Sequence, residues 1–166
     1  MNKIKRILNH FLTTHFAVKR YFPLDVRNRI AAKIAEVEKL HGGEIVFLVE
    51  ANLPPWQLLH NISPRARALE LFSRFRVWDT EENCGVLLYI LLADRQVEII
   101  ADRGIDNKVG QEGWQKICDE MKEAFRQGEF EKATFRAIEQ ISEHLISYFP
   151  RHRGDINELP DQPVIL

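Results

Sequence analysis

Apolar residues fall along this chain in two periods, and the change from one to the other marks its elements. Ile4, Ile7, Leu8, Phe11, Leu12 and Phe16 recur at the spacing of one helix face, and Phe22-Pro23 closes that segment. Asp25 is the expected cap of the next helix, whose stripe is Val26, Ile30, Ile34, Val37 and Leu40 and whose stop is Gly42-Gly43. Residues 44–50 (EIVFLVE) are an apolar run framed by acids and read as a buried strand; residues 52–56 read as a loop. Ser63-Pro64 starts another helix, a hydroxyl cap followed by proline at the first helical position. Leu69, Phe72 and Phe75 are expected on its inner face, and Arg65, Arg67, Arg74 and Arg76 on a solvated basic one.

The densest apolar run is 86–92 (VLLYILL), which reads as a strand buried on both faces. Ala93-Asp94-Arg95 breaks it, and Val97, Ile99 and Ala101 then alternate with Gln96 and Glu98, the period of a half-exposed strand. So short a connection forces an antiparallel hairpin, and Asp94-Arg95 reads as its tip with a local ion pair. An acidic loop, Asp79-Thr80-Glu81-Glu82-Asn83, precedes the hairpin, and a second, Asp102-Arg103-Gly104-Ile105-Asp106, follows it. The open ends of a hairpin meet, so these loops are expected to be neighbours. Trp114, Ile117, Met121 and Phe125 then step along a helix that stops at Gly128. A last helix, from about Phe130 to Phe149, turns Ala137, Ile138, Ile141 and Leu145 inward. The terminal Val164-Ile165-Leu166 is costly to leave in water. It is expected to pack back on the domain, with a partner-binding peptide as the alternative. Three strands, with room for a fourth, and helices on both faces predict an α/β fold. Its form is a three-layer α/β/α sandwich around a small mixed sheet of three to four strands.

Length sets one compact domain for the 166 residues, divided as an arm (1–21), a domain (22–149) and a tail (150–166). A net charge of −1 provides no global basic field, so nucleic acid is not an expected partner. Locally the arm differs: Lys3, Lys5, Arg6, Lys19 and Arg20 come before any acid, the first being Asp25. Residues 1–20 either pack on their own domain, or lie on an anionic membrane surface, or dock on a protein. Polar interruptions at Asn9, His10, Thr13, Thr14 and His15 argue against a secretory signal. Cys84 and Cys118 offer at most one bridge and no metal spacing, so a reducing, cytoplasmic setting is expected, with Cys84 a packed inert thiol.

Residues 78–88 (WDTEENCGVLL), followed by Asp94-Arg95-Gln96-Val97-Glu98-Ile99, resemble the TPM domain family. These are phosphatase-like domains of thylakoid photosystem II repair factors and many bacterial proteins. The junction Phe125-Arg126-Gln127-Gly128-Glu129-Phe130 is similar too. Residues 101–105 (ADRGI) with 157–161 (NELPD) look like a compact bacterial branch without signal or anchor. The resemblance spans roughly residues 22–146. It implies the sandwich fold, in some members a calcium ion held by loop carboxylates, and an acid phosphatase activity. Gly85, Asp94, Arg95 and Gly104 match the family pattern. Asn83 and Cys84 stand where it has Asp and Asn, and Ile100 where it often has Glu. If the two loops converge, Asp79, Glu81, Glu82, Asn83, Asp102 and Asp106 offer several of the six to eight oxygens that calcium takes, though their spacing is no recognised calcium loop and a solvated acidic loop is the alternative. For phosphoryl transfer the candidates are Asp79 or Asp102 as base or ligand and Arg103, with Arg95, for the anion. No glycine-rich phosphate cradle and no Cys-x5-Arg pattern accompanies them. The altered acidic positions favour a non-catalytic binding module with a protein partner. A metal-assisted phosphomonoesterase is the alternative.

Overall fold

The structure, a computed structural model, describes residues 3–152 and 157–166. The first two residues of the arm and positions 153–156 of the tail therefore lie outside the described residues. The elements, in order, are α1 (Lys3–Leu12), α2 (His15–Tyr21), α3 (Leu24–Val37), β1 (Ile45–Glu50), α4 (Pro55–Leu59), α5 (Pro64–Arg74), β2 (Val86–Leu91), β3 (Gln96–Ala101), α6 (Arg103–Arg126), α7 (Phe130–Tyr148) and β4 (Val164–Ile165). The sheet order is β3-β2-β1-β4. β1 runs parallel to β2 and to β4, and β2 runs antiparallel to β3, so the sheet is mixed. No helix among the described residues is long and apolar enough to cross a membrane.

Every residue of β1 and β2 is buried because helices cover both faces. On one face Phe47, Val49, Leu88 and Ile90 pack with Phe22, with Ile30 and Ile34 of α3, with Ile117 and Met121 of α6, and with Ile138 and Ile141 of α7. On the other, Leu48, Leu87, Tyr89 and Leu91 pack with Leu58 of α4 and Ala68 and Leu71 of α5. The continuous apolar run at 86–92 thus has the cause expected of it. The tail also returns: β4 pairs Val164 with Leu48 and Ile165 with Val49.

Local readings differ in several places. The arm is two helices, α2 being capped by the Thr14 side chain, which accepts from the Phe16 N–H. Pro23, not Asp25, occupies the cap position of α3, and Asp25 lies in its first turn. The expected loop at 52–56 runs into the short helix α4, which proline starts. α6 begins at Arg103, well before its apolar stripe, and Gly110 breaks its helical geometry with φ of 75°. Ser63 caps α5 as expected, accepting from the Ala66 N–H.

The face of α5 carries the main correction. Leu69 is exposed, while Arg67, assigned to the solvated face, is buried. Its guanidinium donates to both carboxylate oxygens of Glu50, Nε to Oε2 at 3.0 Å and Nη2 to Oε1 at 2.7 Å. The Tyr89 hydroxyl donates to the same Oε2 at 2.6 Å. Arg67 Nη1 also reaches Glu70 at 2.8 Å, and Gln57 of α4 donates to the other oxygen of Glu70. Burial works against the Arg67 charge, but its bonds to Glu50 and Glu70 outweigh burial and raise its pKa. Burial and the Glu50 charge together push the Tyr89 hydroxyl up, so it remains a donor. One network thus ties β1, β2, α4 and α5 together.

The hairpin tip is also held differently. Asp94 pairs not with Arg95 but with α1. Arg6 donates through Nε and Nη2 at 3.0 and 2.8 Å to Oδ2, and His10 Nε2 lies 3.0 Å from Oδ1. The Leu53 N–H donates to His10 Nδ1, which leaves the ring proton on Nε2, facing Asp94. Burial disfavours the Asp94 charge, yet the hydrogen bonds from His10 and Arg6 prevail and hold its carboxyl below the usual range. Asn52 Nδ2 donates to the Thr13 carbonyl at 2.7 Å. α1 therefore covers the C-terminal edge of β1 and β2 through polar bonds.

Removing one partner of the Glu50–Arg67 pair strands the other charge in the core. Glu50→Ala and Arg67→Ala are each expected to lose about 3–5 kcal/mol of stability. Urea denaturation checks this; a loss under about 1 kcal/mol would place the pair with exposed ion pairs instead.

Candidate functional site

The two acidic loops do meet. Val86 pairs with Ala101 in the hairpin register, and the pairing continues outward. The Asp102 N–H donates to the Gly85 carbonyl at 2.8 Å, and the Gly104 N–H to the Asn83 carbonyl at 2.9 Å. Glycine is needed at both crossings. A Cβ on Gly104 would lie 2.5 Å from the Asn83 oxygen, and one on Gly85 only 1.8 Å from the Val77 oxygen. The first loop is tied further by the Cys84 N–H, which donates to Thr80 Oγ1 at 3.1 Å, and by Asn83, whose φ of 53° is left-handed. Asp102 caps α6, its Oδ1 accepting from the Arg103 N–H at 2.7 Å.

The candidate residues take separate places around this crossing. Asp79, Glu81, Asn83, Arg103 and Asp106 are exposed, Glu82 is half-buried, and Asp102 is buried. Asp106 is engaged by its own helix, accepting from Trp114 Nε1 at 2.9 Å. The Glu81 N–H donates to Glu158 of the tail at 3.2 Å. Asp102 Oδ2 and Glu82 Oε2 are buried and have no hydrogen-bond partner. The crossing thus joins 82–85 to 102–104, while no contact gathers Asp79, Glu81 and Asp106 with one another. Among the described residues, no three His, Cys, Asp or Glu side chains are grouped to hold one metal ion. Arg95 sits at the other end of the hairpin, in the turn after Asp94, with φ of 53°.

Sequence reasoning missed the acids that line this end of β1. The Glu44 carboxylate accepts from the N–H groups of Glu158 and Leu159 at 2.9 and 3.2 Å, drawing in the tail. Burial raises its pKa against those two bonds. Glu38 Oε1 accepts from the Ile45 N–H at 2.8 Å. Burial, followed by the nearby Glu44 and Asp161, pushes the Glu38 carboxyl up to about 9, so it is protonated at neutral pH. His41 is buried, and burial pushes it down to about 4. Glu38, His41, Glu44 and Arg151 border a cavity of about 20 Å³, room for about one water. Burial pushes the Cys84 thiol up to about 12, helped by the negative charges of Glu82, Glu158 and Glu44. The acids framing EIVFLVE were the available signal. The pattern of one strand cannot show which distant acids its ends will meet.

A family model described as the TPM domain matches residues 3–144. Among solved structures, the chain is similar to the BA42 protein of the psychrophilic bacterium Bizionia argentinensis. The identity is 26% and the TM-score 0.70, over 86% of this chain and 93% of that one. It also shares the fold of the N-terminal domain of a P. gingivalis protein, at 17% identity and a TM-score of 0.52, over 74% and 76% of the two chains. No curated protein matches the sequence.

Two predictions follow from this geometry. Gly104→Ala is expected to force the loops apart and to lose about 1–3 kcal/mol of stability. Amide shifts confined to 79–85 and 102–106 would locate the change, and an unshifted spectrum would contradict the close approach. Glu38 carries a raised pKa in the folded state. Its contribution to stability is therefore complete below its ordinary value of 4.5 and is lost as pH rises toward about 9. Urea denaturation at about pH 5, 7 and 9 should show that decline in the wild type and a flatter profile in Glu38→Gln.

Proposed function

The chain belongs to the TPM domain family, and we propose that it serves there as a non-catalytic binding module that engages a protein partner. The observation that carries this reading is that several polar groups around the loop crossing already serve the fold. Asp102 caps α6, Asp106 holds the Trp114 indole, and Thr80 holds the Cys84 N–H. Neither cysteine is available as a nucleophile at neutral pH, because burial pushes both thiols up to about 12. Exposed Asp79, Glu81 and Asn83 remain to meet a partner.

One feature supports the second reading, a metal-assisted phosphomonoesterase. Two buried carboxylate oxygens, Asp102 Oδ2 and Glu82 Oε2, have no hydrogen-bond partner. Hard cations such as calcium prefer such donors. Asp102 and Glu82 would hold the ion, with Asp79, Glu81, Asn83 and Asp106 as the remaining oxygen donors after the loops adjust. The ion would supply charge to oppose phosphate oxygens. Arg103, exposed on the first turn of α6, would be the cation to meet the same anion.

Calorimetric titration with calcium and magnesium, paired with hydrolysis of a simple phosphomonoester, separates the two readings. A binding module gives no turnover above the Asp102→Ala control. Cation-dependent hydrolysis that disappears in Asp102→Ala overturns the non-catalytic reading. Cation binding without turnover, weakened in Asp102→Asn and Glu82→Gln, keeps it and adds the ion.

A further inference from the structure

α1 is an amphipathic helix turned the opposite way round from a packed one. A surface helix ordinarily presents its apolar stripe to the core. Here the polar stripe faces inward, where Arg6 and His10, one turn apart, grip Asp94 and the loop before α5. Ile4, Leu8, Phe11 and Leu12 point outward at 76, 56, 68 and 72% exposure, and Phe16 at the start of α2 adds 81%. Such a ridge raises the free energy of the protein in water until something apolar covers it.

The surrounding charge indicates what covers it. Lys3, Lys5, Lys19 and Arg20 are all exposed around the ridge, and no acid occurs from residue 3 to 24. A second copy of the chain laid ridge to ridge would bring two such basic rims together. An anionic bilayer accepts both features at once: acyl chains take Leu8, Phe11, Leu12 and Phe16, while headgroups take the lysines and Arg20. α4 extends the surface, because Lys3 Nζ lies 3.4 Å from the carbonyl of Leu59 and both Leu59 and Trp56 are exposed.

We propose that α1 and the start of α2 form a peripheral docking face for anionic phospholipid bilayers, with Arg6 and His10 fixing the helix so that its apolar ridge faces the lipid. The helix lies in the plane of the interface, and the sandwich stays in water. This surface is separate from the acidic loop crossing, which gathers at the opposite end of β1 and β2.

Cosedimentation of the full chain with phosphatidylcholine vesicles, with and without about 30 mol% phosphatidylglycerol, tests this. Binding to the anionic vesicles is expected to exceed that to the neutral ones by about tenfold and to weaken with salt. Leu8→Asp with Phe11→Asp should lose binding, and Lys3→Glu with Lys5→Glu should lose the preference for anionic lipid. All four side chains are exposed, and circular dichroism confirms that each variant is folded. Equal binding by wild type and the Leu8→Asp, Phe11→Asp variant overturns the proposal, as does absence of binding. So does self-association in sedimentation velocity that Phe11→Asp abolishes while vesicles remain unbound.

Discussion

The register of the β2–β3 hairpin is the constraint on which the rest of the molecule depends. Pairing Val86 with Ala101 places Gly85 against Asp102 and Asn83 against Gly104. A slip of one residue would turn every side chain of β3 to the wrong face. It would also bring a side chain to the position of Gly104, where a Cβ would lie 2.5 Å from the Asn83 carbonyl oxygen. Packing and loop geometry therefore select the same alignment.

The two ends of the parallel pair β1 and β2 are finished by opposite electrostatic means. At the C-terminal end, negative groups meet positive ones: Asp94 is gripped by Arg6, and Glu50 by Arg67. In open α/β sheets, that end is the usual place for ligands. Here α1 closes it. At the N-terminal end, acids meet acids, and Glu38 keeps its proton while Glu44 is held by backbone N–H groups of the tail. Chemical capacity is thus concentrated at the end where like charges crowd and where buried oxygens lack partners.

Much of the architecture was legible in the chain because its strands are extreme. VLLYILL allows no exposed face, and three intervening residues allow only a hairpin, so the meeting of the two loops was legible as well. The division of labour within those loops was not. Asp102 reads equally as ligand, base or helix cap, and the choice depends on where α6 begins, which its late apolar stripe conceals. Arg67 was misplaced because charge on a helix normally means solvent. Its partner Glu50 sits across a layer boundary that no local pattern reveals. His10 and Arg6 were hidden for a similar reason: a helix with a clear apolar stripe invites the assumption that the stripe is the inner face.

β4 has only two residues, yet it lies along the outer edge of β1, where the Ala51 N–H donates to the Leu166 carbonyl and the Leu166 N–H to the Val49 carbonyl. It screens a strand that reads IVFLVE, with a single charge in six residues. Detached, it would leave that strand as an open template whose free N–H and C=O groups could pair with the same strand of another molecule. The short C-terminal strand thereby occupies the edge at which another strand would otherwise add to the sheet.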